Sequence, residues 1–443
     1  VLWWNGELMK QQVDVLIVGG RVAGSSTAIR LSRLGFEVLL LERDTFPSLP
    51  AVSSPIIFAP TMKLLDEIGA DEHQYARKTP KLFQLISVGH NFQNSLRIPA
   101  ADGRDYAYAI DRARFDEALW QLAVQQPRVE GHQNFSVTDL LFEDERIVGV
   151  RGKAKDGDTI AIRARVVIGA DGRFGLVARK VQAKVRDVFD HYPASIYYAY
   201  WENTRPIEGF GPTIAAYEGD GTYGYGVFDS ADGQTMVGVQ GQSNVLTPQA
   251  GRTKAFYLAM LRGNPKLWTR LENAQMVTSV RGMRDINNFY HEPGGPGWAL
   301  VGDAYHQKDP VDGQGIYNAL ITSKSLAYAM RRWQQGELDW KEAMAVYDET
   351  ARIKTYAMYR ALEERLRMNF YMDTTLMPTW FASKMGAWLM DDPDFTQLLG
   401  KMVTRKIHPD MARALTTPLM MQAIAKGPFR DLQKRIKQRL SMR

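Results

Sequence analysis

Short continuous apolar runs alternate in this chain with stretches whose apolar positions repeat at helical spacing. Val13 to Val18 is one such run, the pattern of a strand buried on both faces. From Ala23 to Leu34 the spacing becomes helical, and Gly35 stands where a helix would end. A second run, Val38 to Leu41, closes at Glu42. Strand, helix and strand in this order predict a parallel βαβ unit. Residues 165–170 and 298–301 are further buried runs. The first leads into Asp171-Gly172 and the second into Gly302-Asp303. After Pro310, Gly313-Gln314-Gly315 opens a long helix that runs to Met330.

Elsewhere the period changes to two. Residues 83–88 and 92–98 read as a hairpin across Gly89-His90-Asn91, with His90 in the turn, and 136–142, 147–154 and 159–164 as a meander. The same alternation marks strands at 195–201, 213–217, 223–228 and 235–240, rich in tyrosine and tryptophan. Their rings either pack as core or line an apolar pocket on one face. Helices are expected at 61–68, at 111–124 with Asp111 as N-cap, at 252–261 and at 266–273. Pro47, Pro50, Pro55 and Pro60 make 44–60 a loop. From Leu338 onward the pattern is helical, including 352–368 and 429–439. The class is α/β.

Composition narrows the field. The chain has 443 residues, 45% hydrophobic and 23% charged, and no apolar stretch of the roughly 18 residues that span a bilayer. There is no cysteine, which excludes disulfides, thiolate metal sites and CxxC relays. A cytoplasmic enzyme without a metal site is expected. Val1 to Leu8 lack the features of a signal peptide, and Met9 reads as a start with residues 1–8 as an extension. The net charge of +6 gives no reason to expect nucleic acid. Arg430, Lys434, Arg435, Lys437 and Arg439 cluster in the last helix, either as a solvated face or as a contact with an anionic membrane surface.

The candidate chemistry sits at the ends of the buried runs. Gly19, Gly20 and Gly24, with Ala23 between, let a backbone approach a pyrophosphate at a helix N-terminus, and Glu42 beside Arg43 can bind a ribose. This is a dinucleotide site. Arg21 stands where the pattern has its middle glycine. Either the turn opens, or the guanidinium reaches the phosphates, or the side chain is simply exposed. Arg112 and Arg114, at the start of their helix, contact a phosphate or are surface charge. Asp171-Gly172 and Asp303 lie where open α/β sheets bind ligands.

Together, residues 13–43, 165–179 and 298–315 resemble the three blocks of the group A flavoprotein monooxygenases. Flavin-dependent halogenases and geranylgeranyl reductases share that superfamily. The resemblance implies a glutathione-reductase-like FAD-binding Rossmann domain formed by 1–80, 100–184 and 281–335. It is interleaved with an antiparallel β-sheet substrate domain, 81–99 and 185–280, and followed by a helical C-terminal region, 336–443. It implies non-covalent FAD with Gly19, Gly20 and Gly24 at the pyrophosphate, Glu42 at the ribose and Arg112 near the FAD chain. Asp171 and Gly172 fall in a block tied to FAD and NAD(P)H. Gly302 and Asp303 would lie at the ribityl chain, Pro310 beside the ring, and Gly313 to Gly315 at its pyrimidine edge. No general base is named by the sequence; His306 and Pro310 are the catalytic candidates, and a structural role is the leading reading of His306. Departures from the family pattern are Arg21, Gly175 and Tyr317.

No second glycine-rich βαβ unit is present, so NADPH or NADH is expected as a transient reductant. The leading expectation is hydroxylation of an apolar, aromatic or polycyclic small molecule through a flavin C4a-hydroperoxide. A reductase of an isoprenoid-like substrate and a halogenase are the alternatives. Lys78 and Lys81 lie where a halogenase would carry its lysine, but the Trp-x-Trp-x-Ile-Pro stretch is absent. Tyr198 to Arg205 only loosely echoes the prenyl reductases.

Overall fold

The computed structural model describes residues 2–4, 7–9, 12–50, 52–154, 157–371, 379–403 and 405–441. After a short hairpin of Leu2–Trp4 and Glu7–Met9, the chain enters β1 (Gln12–Val18), α1 (Val22–Arg33) and β2 (Val38–Leu41). The two strands pair in parallel, Val15 opposite Val38 and Val18 opposite Leu41, and β2 is buried throughout. Next come α2 (Ala59–Ile68), β3 (Gln84–Val88), β4 (Gln93–Arg97) and α3 (Arg112–Val124). Helix α2 starts one residue before Pro60, which the sequence reading left in the loop. A proline fits the first helical turn because its missing N–H would have no partner there. Asp111 caps α3 by accepting from the amides of Ala113 and Arg114.

Strands β5 (Val129–His132), β6 (Phe135–Glu143), β7 (Arg146–Ala154) and β8 (Thr159–Gly169) complete the first sheet, in the order β6-β7-β8-β1-β2-β5. Two strands were expected across 159–170, and the structure has one. No breaker separates Ala164 from Arg165. The first half of β8 pairs antiparallel with β7, while its second half runs parallel to β1. The meander and the nucleotide sheet are thus one surface.

Past α4 (Leu176–Lys180), β9 (Val185–Phe189) pairs with β15 (Asn288–His291) rather than with the second sheet. That second sheet contains β10 (Ala194–Glu202), β11 (Ile214–Glu218), β12 (Tyr223–Asp229), β13 (Thr235–Gln242) and β14 (Arg281–Met283), and it takes up the hairpin β3–β4 through β11. Its two faces differ. Tyr197, Trp201, Tyr217 and Tyr225 join the apolar cluster that includes Tyr257 and Leu261 of α5 (Thr253–Arg262) and Leu267 and Leu271 of α6 (Pro265–Leu271). Tyr198 and Tyr200, one residue out of step, point to the other side.

The short strand β16 (Trp298–Leu300) lies parallel to the end of β8, and α7 (Gly315–Gln334) follows the 302–314 loop. Helix α8 (Trp340–Phe370) is capped by Asp339 and Glu342 and packs its inner face into the main core. The remaining helices are α9 (Thr379–Met390), α10 (Pro393–Val403) and α11 (Pro409–Ser441).

Candidate active site

The turn from β1 into α1 is built for close approach. Gly19 has φ +102°, a left-handed conformation, and a Cβ on it would lie 2.5 Å from the Ala170 carbonyl oxygen. A Cβ on Gly24 would lie 1.8 Å from the Gly19 oxygen, and one on Gly20 would enter the Trp120 ring. Glycines here serve packing as well as ligand access. Glu42, 4% exposed, accepts from the Gly20 amide at 2.7 Å and the Asp44 amide at 2.9 Å, which locks the turn to the end of β2. The first amides of α1, at Val22, Ala23 and Gly24, lack intrahelical acceptors and form the positive end of a twelve-residue helix. Arg43 is exposed just beyond β2.

Arg21 takes none of the courses expected of it. Its guanidinium donates to Asp116 at 2.8 Å, Asp44 at 3.0 Å and Ser48, so its donors are engaged away from the turn. Arg112 converges on the same Asp116, at 2.9 Å and 3.1 Å, and also bonds the Ser53 hydroxyl. Asp116 is fully buried and holds two arginines from different parts of the chain. The sequence reading passed over Asp116, although its i, i+4 spacing from Arg112 places both on one helical face. Arg114 instead pairs with Asp111 and Asp232.

A small cleft opens between the 52–54 segment, the 302–315 loop and the second sheet. Ser53, Ser54, Arg173, Asp303, Lys308 and Asp309 supply its polar groups, with Pro310 and Gly315 beside them. Asp303 follows β16 in a single 3₁₀ turn, with Gly302 at φ +60° and its amide bound to Thr322 of α7. The Asp303 carboxylate is about one-third exposed and pairs with Arg173 at 3.3 Å. Gly313 has φ +67°, and the position a Cβ would take on Gly315 has no atom within 4 Å. The first amides of α7 therefore face space. Tyr198 and Tyr200 pack toward Arg112 and Arg281, and burial raises both phenols above their ordinary range, so they stay neutral.

The 306–315 loop is fixed by partners from the second sheet and from β15. The Asp309 amide donates to Asn288 Oδ1 at 2.6 Å. Its Oδ1 accepts from Val311 N and from Gln240 Nε2 of β13, at 2.8 Å and 2.5 Å. Asp309 is wholly buried, its Oδ2 has no partner, and burial pushes the carboxyl up to about 6. Lys308 is buried against Asp312, and burial lowers its ammonium against that pull. Neither residue was singled out from sequence. Both stand inside the third block, within two residues of Pro310.

Five residues singled out in the sequence lie elsewhere or do other work. His306 is 1% exposed, stacked on Tyr290 with ring centres 3.9 Å apart, and is not among the residues that line the cleft. Burial and the cations Lys308 and Arg173 hold it well below its ordinary pKa. A neutral ring without polar partners, sealed in an aromatic stack, has no route for proton exchange with the cleft. Asp171 accepts from the Val177 amide at 3.0 Å and caps α4, and Gly172 turns the chain at φ +78°. Lys78 is largely exposed, 3.5 Å from Asp232, and Lys81 sits over the Tyr106 ring.

The α1 N-terminus with the buried Glu42 lies at the carboxyl ends of β1 and β2, and the cleft at Asp303 follows the carboxyl end of β16. Residues 12–213 match the FAD binding domain family. That match, a little under half of the chain, shows an FAD binding domain in it. The chain is 28% identical over 352 residues to tryptophan 2-halogenase of Chondromyces crocatus, covering 76% of this chain and 65% of that protein. It is 26% identical to digeranylgeranylglycerophospholipid reductase of Methanosarcina acetivorans, covering 78% of this chain and 82% of the reductase. The solved structure of the flavin-dependent brominase Bmp2 superposes with a TM-score of 0.74 at 20% identity, over 93% of this chain and 100% of Bmp2, a likeness of fold. The residues present fit FAD. Nothing occupies the space at Gly315, and unpaired amides stand at both helix N-termini where an anionic diphosphate and ring would lie.

Proposed function

We propose that this flavoprotein is an FAD-dependent monooxygenase that hydroxylates an apolar, aromatic or polycyclic small molecule, with NADPH or NADH as the source of electrons. The observation that carries this over halogenation is the placement of the lysines. Lys78 and Lys81 both lie outside the cleft, and the lysine that does line it, Lys308, is ion-paired to Asp312. The relatives keep halogenation as the second reading.

In this reading the Gly19-Gly20 turn and the amides of Val22, Ala23 and Gly24 hold the pyrophosphate, and Glu42 the adenosine ribose. Asp303 takes the ribityl chain, while Pro310, Gly313 and Gly315 flank the ring. Reduced flavin supplies the activation of oxygen. The chain supplies position and exclusion of water. Tyr198 and Tyr200 form an apolar wall, and the α7 N-terminus favours negative charge. Asp309, wholly buried, fixes the loop beside Pro310 through Val311 and Gln240.

The test is product analysis. Purified protein with FAD, NADPH or NADH and a panel of phenols, indoles and polycyclic aromatics is run under labelled oxygen, with and without bromide. Substrate-dependent oxygen uptake and labelled hydroxylated product are expected. Brominated product without hydroxylation would reverse the order of the two readings. Reduction of an isoprenoid double bond without oxygen uptake would overturn both.

A further inference from the structure

Helix α11 carries an exposed apolar face that the rest of the chain does not explain. It runs over 33 residues, with Pro418 and Pro428 inside it. Its inner side is occupied. Ala412 and Ala423 are fully buried, and Gly427 abuts Trp388, where a Cβ would lie 2.2 Å from the ring. Arg430 pairs with Asp392 at 2.7 Å, and Asp431 with Lys384 at 2.8 Å. The outer side shows Met411, Leu415, Met421, Phe429, Leu432 and Ile436, exposed by 61%, 43%, 68%, 63%, 54% and 50%. At about 100° per residue these six fall within about 120° of arc, centred opposite the packed face. Single exposed apolar side chains are ordinary. A continuous stripe along a whole helix marks an interaction surface.

Charge identifies the occupant. Residues 426–443 hold seven lysines and arginines against one acid, Asp431, an excess of six, and two of the seven, Arg430 and Lys434, pair with Asp392 and Asp391. That excess of six equals the net charge of the entire chain, so everything before residue 426 is neutral on balance. A second copy of this chain would bring the same cations together, within reach of their mutual repulsion. An anionic lipid surface offers an apolar layer for the stripe and phosphates for the flanking cations. Among the described residues no helix is long and apolar enough to cross a membrane, which leaves α11 lying along the surface. The helix starts four residues after Arg405, which donates to Gln314 Oε1 and stacks over Tyr317 at 3.6 Å, at the head of α7.

We propose that α11 is a membrane-surface helix. Its outer stripe seats in the interfacial layer of an anionic bilayer, and the beginning of the helix is tethered beside the flavin loop.

The test uses the full chain and sedimentation with vesicles of 70:30 phosphatidylcholine and phosphatidylglycerol, or of phosphatidylcholine alone. Partitioning onto the anionic vesicles is expected, at least roughly tenfold weaker onto neutral ones and weakened by 0.5 M salt. Phe429→Ser with Leu432→Ser should release the protein at an unchanged melting temperature. Lys437→Glu with Arg439→Glu should lower partitioning by roughly tenfold or more. Absence of binding to anionic vesicles would overturn the proposal, as would binding indifferent to both double variants. A dimer in light scattering that Phe429→Ser with Leu432→Ser dissociates, without vesicle binding, would assign the stripe to a second copy instead.

Discussion

Replacing Asp309 with asparagine should stabilise the protein at alkaline pH and change little at acid pH. The carboxyl lies in the flavin loop, wholly buried, and its native pKa is pushed up to about 6 from an ordinary 3.8. A raised carboxyl pKa means that the native state binds the proton more tightly than the unfolded chain. Wild-type stability is therefore fullest below the unfolded value and falls as pH rises through the native one. A shift of about two units corresponds to about 3 kcal/mol in all. Roughly half of it, about 1.5 kcal/mol, is lost between pH 5 and pH 8. Asparagine keeps an oxygen for the Val311 amide and Gln240, and it carries no charge to desolvate. Urea denaturation of apo wild type and Asp309→Asn at pH 5 and pH 8 measures the difference, and groups common to both proteins cancel. The gap should move by about 1.5 kcal/mol in favour of the variant at pH 8. A gap independent of pH, or one that moves against the variant, would refute the burial argument.

Asp303→Ala should weaken FAD binding roughly ten- to a hundredfold, since a hydrogen bond to a charged acceptor contributes about 1.5–3 kcal/mol. Apo stability should barely change, because the Arg173 pair is partly exposed. Titration of FAD into apo protein, with apo melting curves, separates this from a structural role. Asp116→Asn should cost about 3–5 kcal/mol in urea denaturation, because it leaves the buried Arg112 and the part-buried Arg21 without their shared counter-charge. A loss below about 1 kcal/mol would show that water or Asp44 compensates. Gly24→Ala should abolish FAD binding or folding, given the 1.8 Å approach to the Gly19 oxygen. A soluble variant with wild-type affinity for FAD would contradict that geometry.

Local patterns carried much of the fold. The β1–α1–β2 unit, the Asp111 cap and the four aromatic strands were legible because period and capping depend on residues within a few positions of each other. The reading went astray where the partner was remote. Nothing near Ala164 shows that β8 changes from an antiparallel to a parallel neighbour halfway along. Arg21 looked like a phosphate ligand or a free surface group, and its destination, Asp116, lies 95 residues away. The structural role read for His306 takes the form of an aromatic stack with Tyr290 and Tyr359, partners the sequence does not name.

By itself, the sequence determined that this chain has a βαβ unit with a glycine-rich first turn, two further buried strands that end in Asp171-Gly172 and Gly302-Asp303, and no thiol chemistry. These follow from residue type and short-range spacing, because a glycine's freedom and a strand's buried run do not depend on what packs against them. Only the tertiary structure decided which titratable groups face the cleft. The same aspartate is a solvated carboxylate or a buried acid depending on which atoms from other sheets displace its water. For Asp309 those atoms come from Gln240 and Asn288, in strands that only the folded chain brings to its side.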